Sequence, residues 1–262
     1  MIQLGVTNDL IALPITAHFV SNTKSGVTTR EQSLKKNYVD LIKKKLDAAF
    51  ISPSDYAKDS SLLKLVKDIA IYNRGESRYS IIFFQENLIE IEEIAYHGIS
   101  QYNDLAFLLF NEFFEIDPTW KLIKGEIPLE VSLKSYQAVL KNGNEALENY
   151  DKVDNRIDVI DQWWGKTELS FIHQVFAVHR DVKETKWIDD IYQSRDKGMK
   201  NLKQISETYG KYHNRSPEFY YNLLKDKFYY SPEENTWEEC AEYLNYLYYY
   251  GKLPFIPEFH FV

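Results

Sequence analysis

The first fifty residues hold two short apolar segments with a lysine-rich helical pattern between them. That order narrows the fold more than any other feature of the chain. Ile2–Val6 reads as a strand and runs into Thr7-Asn8-Asp9. In 34–46, Leu34, Tyr38, Leu41, Ile42 and Leu46 recur at helical spacing, with Lys35, Lys36, Lys43, Lys44 and Lys45 on the other side. That is an amphipathic helix. A short buried strand follows over 47–51 and stops at Ser52-Pro53-Ser54. Strand, helix, strand in this order implies a parallel sheet. Open sheets of this kind take ligands where the strands end and helices or turns begin.

A second α/β pattern follows. Asn73-Arg74-Gly75-Glu76 is a turn signal, and Ser80-Ile81-Ile82-Phe83-Phe84 is a fully apolar strand. Ile94–His97 and Ala138–Leu140 are further short strands, with a helix predicted over about 101–115, ended before Pro118. Phe171–Val178 is a long apolar strand. After Arg180 the chain reads as helical to about Gly251. Ser216-Pro217-Glu218 and Ser231-Pro232-Glu233-Glu234 both read as helix starts, the second as a capping box with Glu234 at its third position. The expected organisation is a first lobe of 1–84 and 178–262, the latter part helical, with a second lobe of 85–177 inserted. Ser80–Phe84 and Phe171–Val178 would cross between the lobes, with a ligand in the cleft.

Composition removes several classes of function. The 262 residues are 44% hydrophobic, enough for a sizeable core. A net charge of −8 argues against nucleic acid, whose binders carry a basic face. No apolar run approaches a membrane span, and the start of the chain shows no basic-then-apolar pattern of a signal peptide. A cytoplasmic location is the expectation, with no membrane partner. The single Cys240 excludes an intrachain disulfide and any multi-cysteine metal site. Twenty tyrosines, many of them near the C-terminus, suit packing and interface roles, and assembly with further copies of the chain is compatible with them.

Glycine-rich phosphate loops, zinc-helix motifs and nucleophile elbows are all missing from the sequence. His173 and His179 are six apart on one predicted strand and so share a face, but a metal pair would need closer spacing or more ligands. No metal or cofactor is expected. The candidates are polar residues at strand and helix ends: Asn8 and Asp9, Ser52 and Ser54, and Ser100 with Asn103. Unpaired N–H groups at helix starts favour carboxylates, although each such serine also suits a plain cap. Arg78 could pair with a ligand carboxylate, and Ser80 opens the adjoining strand. His173 could face the cleft, but a hydrogen-bonded structural histidine explains it as well. Asn8, Asp9 and His173 are the candidates for catalysis.

In order and spacing these segments resemble the menaquinone-biosynthesis family of the futalosine pathway. That family includes chorismate dehydratase and 1,4-dihydroxy-6-naphthoate synthase. Asp47–Ala57 resembles the dehydratase segment D-V-x-x-I-S-S-x-E-Y-A, with Ser52 and Tyr56 matching. Ser80–Phe84 resembles S-V-L-L-F, and Gly143-Asn144-Glu145-Ala146-Leu147 resembles G-D-D-A-L. Trp164, Thr167, Leu169 and Phe171 match W-x-x-x-T-G-L-P-F. Asn8-Asp9 is closer to the P-N-D-T of the naphthoate branch. The resemblance implies an α/β, two-lobed, type 2 periplasmic-binding-protein-like clamshell with a helical C-terminal tail. It also implies a small anionic metabolite as ligand and a carbon–oxygen lyase activity, if the chain is an enzyme. Three departures stand out. Ile11 occupies the position of the dehydratase's proposed catalytic asparagine, and about Lys141 that of the naphthoate branch's histidine. The turn Gly98–Asn103 is bulkier than the family's. A binding protein of the same fold without catalysis is the alternative.

Overall fold

The computed structural model describes residues 2–21, 26–98, 100–125, 127–183 and 186–262. Ile99, in the bulky turn of the sequence reading, lies outside them. The chain opens with β1 (Ile2–Val6), a 3-10 turn at Leu10–Ala12, α1 (Leu13–Ser21), β2 (Val27–Glu31), α2 (Leu34–Ile42) and β3 (Ala48–Ile51). α3 (Pro53–Lys58) and β4 (Leu63–Asn73) follow. The middle of the chain contains β5 (Ser80–Phe84), β6 (Glu93–His97) and α4 (Gln101–Leu108), which continues as a π turn over Leu109–Phe113. Next come β7 (Thr119–Ile123), α5 (Leu129–Ser135), β8 (Ala138–Asn142), α6 (Asn144–Asn149), β9 (Arg156–Asp158) and α7 (Val159–Thr167). The last part holds β10 (Phe171–His179), α8 (Ile188–Lys200), α9 (Leu202–Gly210), α10 (Pro217–Asp226) and α11 (Glu234–Tyr249).

The chain divides into two compact units, Met1–Asn73 with Ser170–Val262, and Arg74–Leu169. Each has a five-stranded sheet, in the orders β2-β1-β3-β10-β4 and β7-β6-β8-β5-β9. The two orders follow one plan. Three parallel strands lie side by side, and an antiparallel strand separates them from the fifth. Central strands of such sheets are covered on both faces and therefore read as unbroken apolar runs. Every residue of β3, β5 and β10 is buried.

The pairing moves the expected boundaries. Ser80–Phe84 was expected in the first lobe, but it lies inside the second sheet, between β8 and β9. Phe171–Val178 lies inside the first sheet, between β3 and β4. An apolar strand sequence reports burial on two faces and is silent about which sheet supplies the neighbours. Helix α2 ends at Ile42 rather than 46 because Lys43 leaves helical geometry and Lys44 takes a left-handed φ of 56°. Ser216 caps α10 as read, accepting from the Phe219 N–H at 3.2 Å. Ser231 caps nothing, and α11 starts instead from Glu233, whose N–H donates to Thr236 Oγ1 at 3.2 Å. Tyr229 is bridged to Tyr72 by two backbone hydrogen bonds, and the Ser231 carbonyl accepts from the Tyr72 hydroxyl. These bonds hold the segment extended, so the helix cannot begin there.

In the first unit α2 packs directly on β1. A Cβ on Gly5 would lie 2.4 Å from Asn37 Oδ1. Buried Asn37 in turn donates to the Phe50 carbonyl of β3 at 3.0 Å, tying the helix to two strands. The second unit has a core of Ile81, Phe83, Ala95, Leu129, Val139 and Ala146, drawn from both of its layers. No helix among the described residues is long and apolar enough to cross a membrane.

Candidate functional site

In the first unit the chain leaves β1 at Thr7 and turns through Asn8 and Asp9 into the 3-10 turn. Asn8 is exposed. The Asp9 carboxylate accepts from the Gln174 amide at 3.3 Å. Gln174 is fully buried on β10, and its Oε1 has no hydrogen-bond partner among the described residues. The structure thus joins Asp9 to a glutamine that lies inside an apolar strand. A buried polar residue in such a run was the available signal.

His173 lies one residue from Gln174, but it is fully enclosed. Its Nε2 is 2.9 Å from Asn73 Oδ1, and its ring packs against Phe171 and Phe228 at 5.3 and 5.2 Å. Burial lowers its pKa to about 3, so the ring is neutral at ordinary pH. It presents no surface to a ligand and acts as a structural histidine. Two register shifts in β10 also break the alternation behind the same-face reading of His173 and His179. Ser52 and Ser54 are both buried at the start of α3. Ser52 Oγ accepts from the Asp55 N–H at 3.1 Å and lies 3.1 Å from Ser54 Oγ, so Ser52 is fully used as a cap.

The second unit holds the remaining candidates. Arg78 takes a left-handed φ of 58°. Its guanidinium pairs with Glu76 at 3.2 Å and sits 4.8 Å from the centre of the Tyr150 ring. Its N–H donates to the Asp158 carboxylate, as do those of Ser77, Ile160 and Asp161. Burial nevertheless pushes Asp158 up to about 6, against those four donors. Ser80 is buried and donates to Asn142 Oδ1 at 2.8 Å. Asn103 Oδ1 accepts from the Ser100 N–H at 3.0 Å, while Asn103 Nδ2 is buried without a partner among the described residues. Lys141 is completely buried on β8 and donates to the Ile127 carbonyl at 3.0 Å and to Glu145 at 3.2 Å. Ile11 is fully buried in the first unit's core.

Asn8 also rims an open cavity of about 810 Å³ within the first unit, bounded by α1, the end of β2, α8 and α9. Its polar groups include His18, Glu31, Lys197 and Asn201. None of these was legible as a site, because His18 and Lys197 come together from opposite ends of the chain.

The fold is shared with several solved structures. Protein AF1704 from Archaeoglobus fulgidus matches with a TM-score of 0.77 at 14% identity, over 96% of this chain and 98% of its own. The Candida albicans CA3427 gene product, described as having the generic periplasmic binding protein fold, matches at 0.67 and 10% identity, over 97% and 91%. The aliphatic sulphonate binding protein SsuA from Escherichia coli matches at 0.68 and 10% identity, over 98% and 89%. No curated protein sequence matches the chain. The fold is that of the type 2 periplasmic-binding proteins. The family model described as menaquinone biosynthesis matches residues 2–249, and the chain therefore belongs to the menaquinone biosynthesis family.

Proposed function

We propose that the protein, most similar to chorismate dehydratase, binds a small anionic carboxylate metabolite of the futalosine route to menaquinone. The family match over residues 2–249 carries this reading. Two observations support it. Asn103 Nδ2, in the first turn of α4, is a buried donor without an acceptor among the described residues. Asn8 stands exposed on a cavity large enough for a small ligand. A cytoplasmic location and the lack of a cofactor belong to the same reading.

A second reading, binding without dehydration, is favoured by Ile11. Dehydration needs a group that takes a proton and donors that hold the developing charge. A fully buried isoleucine at the position of the family's asparagine supplies neither. Loss of one preorganised polar group costs on the order of 10²–10³ in rate. Asn8 and Asp9, at the end of β1, are the remaining candidates for a substitute.

Thermal denaturation with chorismate, followed by a turnover assay, tests both. Chorismate at ~100 times its Kd should add about 2.7 kcal/mol of stability, with little or no turnover. Failure of chorismate to bind would refute the ligand assignment. Robust turnover that is lost on Asn8→Ala or Asp9→Ala would overturn the non-catalytic reading and identify the substitute group.

A further inference from the structure

The cavity beside Asn8 has a local cause. Helix α8 crosses α1 so closely that a Cβ on Gly198 would lie 1.8 Å from the Pro14 carbonyl oxygen. Ser194 Oγ donates to the Ile15 carbonyl one turn earlier, at 2.5 Å. Helix α8 then stops at Asn201, which has φ −111° and ψ 18°, and α9 begins anew. The tight crossing ends at this break, and the cavity lies beside it, lined by Asn201 and residues of both helices.

The groups around the cavity are of three kinds. Lys197 Nζ is 3.1 Å from His18 Nε2. An ammonium can only donate, so in this contact the imidazole Nε2 is the acceptor. This contact positions Lys197 without neutralising it, and no carboxylate among the described residues lies within ion-pair distance. Glu31, at the end of β2, is an exposed acceptor on the same cavity. Tyr212 is 82% exposed and forms an aromatic wall, next to His213, which stacks on Tyr209 with ring centres 3.9 Å apart.

We propose that this cavity binds a small planar hydroxy-carboxylate, with Lys197 as counter-charge to the carboxylate, Glu31 as acceptor for the hydroxyl and Tyr212 as the wall against the ring. The proposal rests on the reading of a carboxylate ligand given above, and adds which residues recognise it. A cation and an acceptor on one cavity select a ligand with an anionic end and a donor end. A flat aromatic surface selects a planar ring between them.

The test is a titration of the full chain, with its histidines isotopically labelled, by benzoate, 4-hydroxybenzoate and neutral benzamide. The His18 and His213 ring resonances are followed by NMR. Both should shift with 4-hydroxybenzoate, and benzamide should bind about two- to fivefold more weakly, the worth of one exposed charge contact. Lys197→Met should abolish the preference for carboxylate over amide. Glu31→Leu, which removes the acceptor, should abolish the preference for 4-hydroxybenzoate over benzoate. Lys200→Met, an exposed charge on the same helix but off the cavity, should change nothing. Equal affinities in the wild type and Lys197→Met would overturn the proposal, as would unmoved His18 and His213 resonances with all three probes. Stabilisation by chorismate that survives Lys197→Met would overturn it while leaving the ligand class intact. Failure of chorismate to bind would remove that class on separate grounds.

Discussion

Two glycines show how single residues set the packing that the rest of the molecule needs. Gly5 admits Asn37 against β1, and Gly198 admits the Pro14 carbonyl against α8. Neither has the left-handed backbone that usually explains a glycine, so the requirement is space. A side chain at Gly198 would meet backbone, which cannot rotate away. We expect Gly198→Ala to destabilise the protein by about 1–3 kcal/mol, through overpacking that parts α8 from α1. Chemical denaturation checks this, and an unchanged midpoint would show that the crossing relaxes freely.

Among the elements, β4 is the edge of the first sheet, and edges invite unwanted pairing. The C-terminal segment covers part of it. The Leu65 N–H donates to the His260 carbonyl at 2.7 Å, and the Val262 N–H to the Leu65 carbonyl at 2.9 Å. Tyr56, fully buried on α3, holds the segment in place. Its hydroxyl donates to the Glu258 carbonyl at 2.9 Å and accepts from the His260 N–H at 3.0 Å. Phe259 and Phe261 pack against Trp237 with ring centres 5.5 and 5.2 Å away. Tyr56→Phe leaves two backbone groups unsatisfied and should cost about 1–3 kcal/mol. The Leu65 amide should then exchange much faster with solvent. Unaltered exchange at Leu65 would mean the aromatic packing alone holds the segment.

At the scale of the whole molecule, the two units should respond to acid in opposite directions. His173 in the first unit has its pKa depressed from an ordinary 6.5 to about 3. Its stabilising contribution is complete above 6.5 and is lost as pH falls towards 3. Asp158 in the second unit has its pKa raised from 3.8 to about 6. Its contribution is complete below 3.8 and is lost as pH rises through 6. Between about pH 6 and 4 each group changes stability by up to about 1.4 kcal/mol per pH unit, with opposite sign. Global denaturation curves should therefore move little in this window. Hydrogen exchange resolved by unit, corrected for the intrinsic pH effect, should show the first unit loosening and the second tightening. Asp158→Asn should remove the second trend alone. Parallel changes in both units would contradict the assignment of these two groups.

What a sequence can show depends on how local the physics is. Strands β1 and β3 with α2 before the latter, the apolar runs of β5 and β10 and the serine cap of α10 depend on neighbours in the chain and were legible, whereas α1 and β2, which lie between β1 and α2, were not. The family was legible too, because motif order survives when individual residues change. Membership of a sheet was not legible. β5 and β10 are equally buried, and only long-range pairing decides that one joins the second sheet and the other the first. The start of α11 was misread for the same reason, since Tyr72 holds Tyr229 from a strand far away in sequence. Sites are the least local of all. The sequence by itself determined the α/β class, the family and the polar ends of β1 and β3. Only the tertiary structure enclosed His173 and Ile11, committed Ser52 to a cap and brought Lys197 to His18, because burial and proximity are properties of the packed chain.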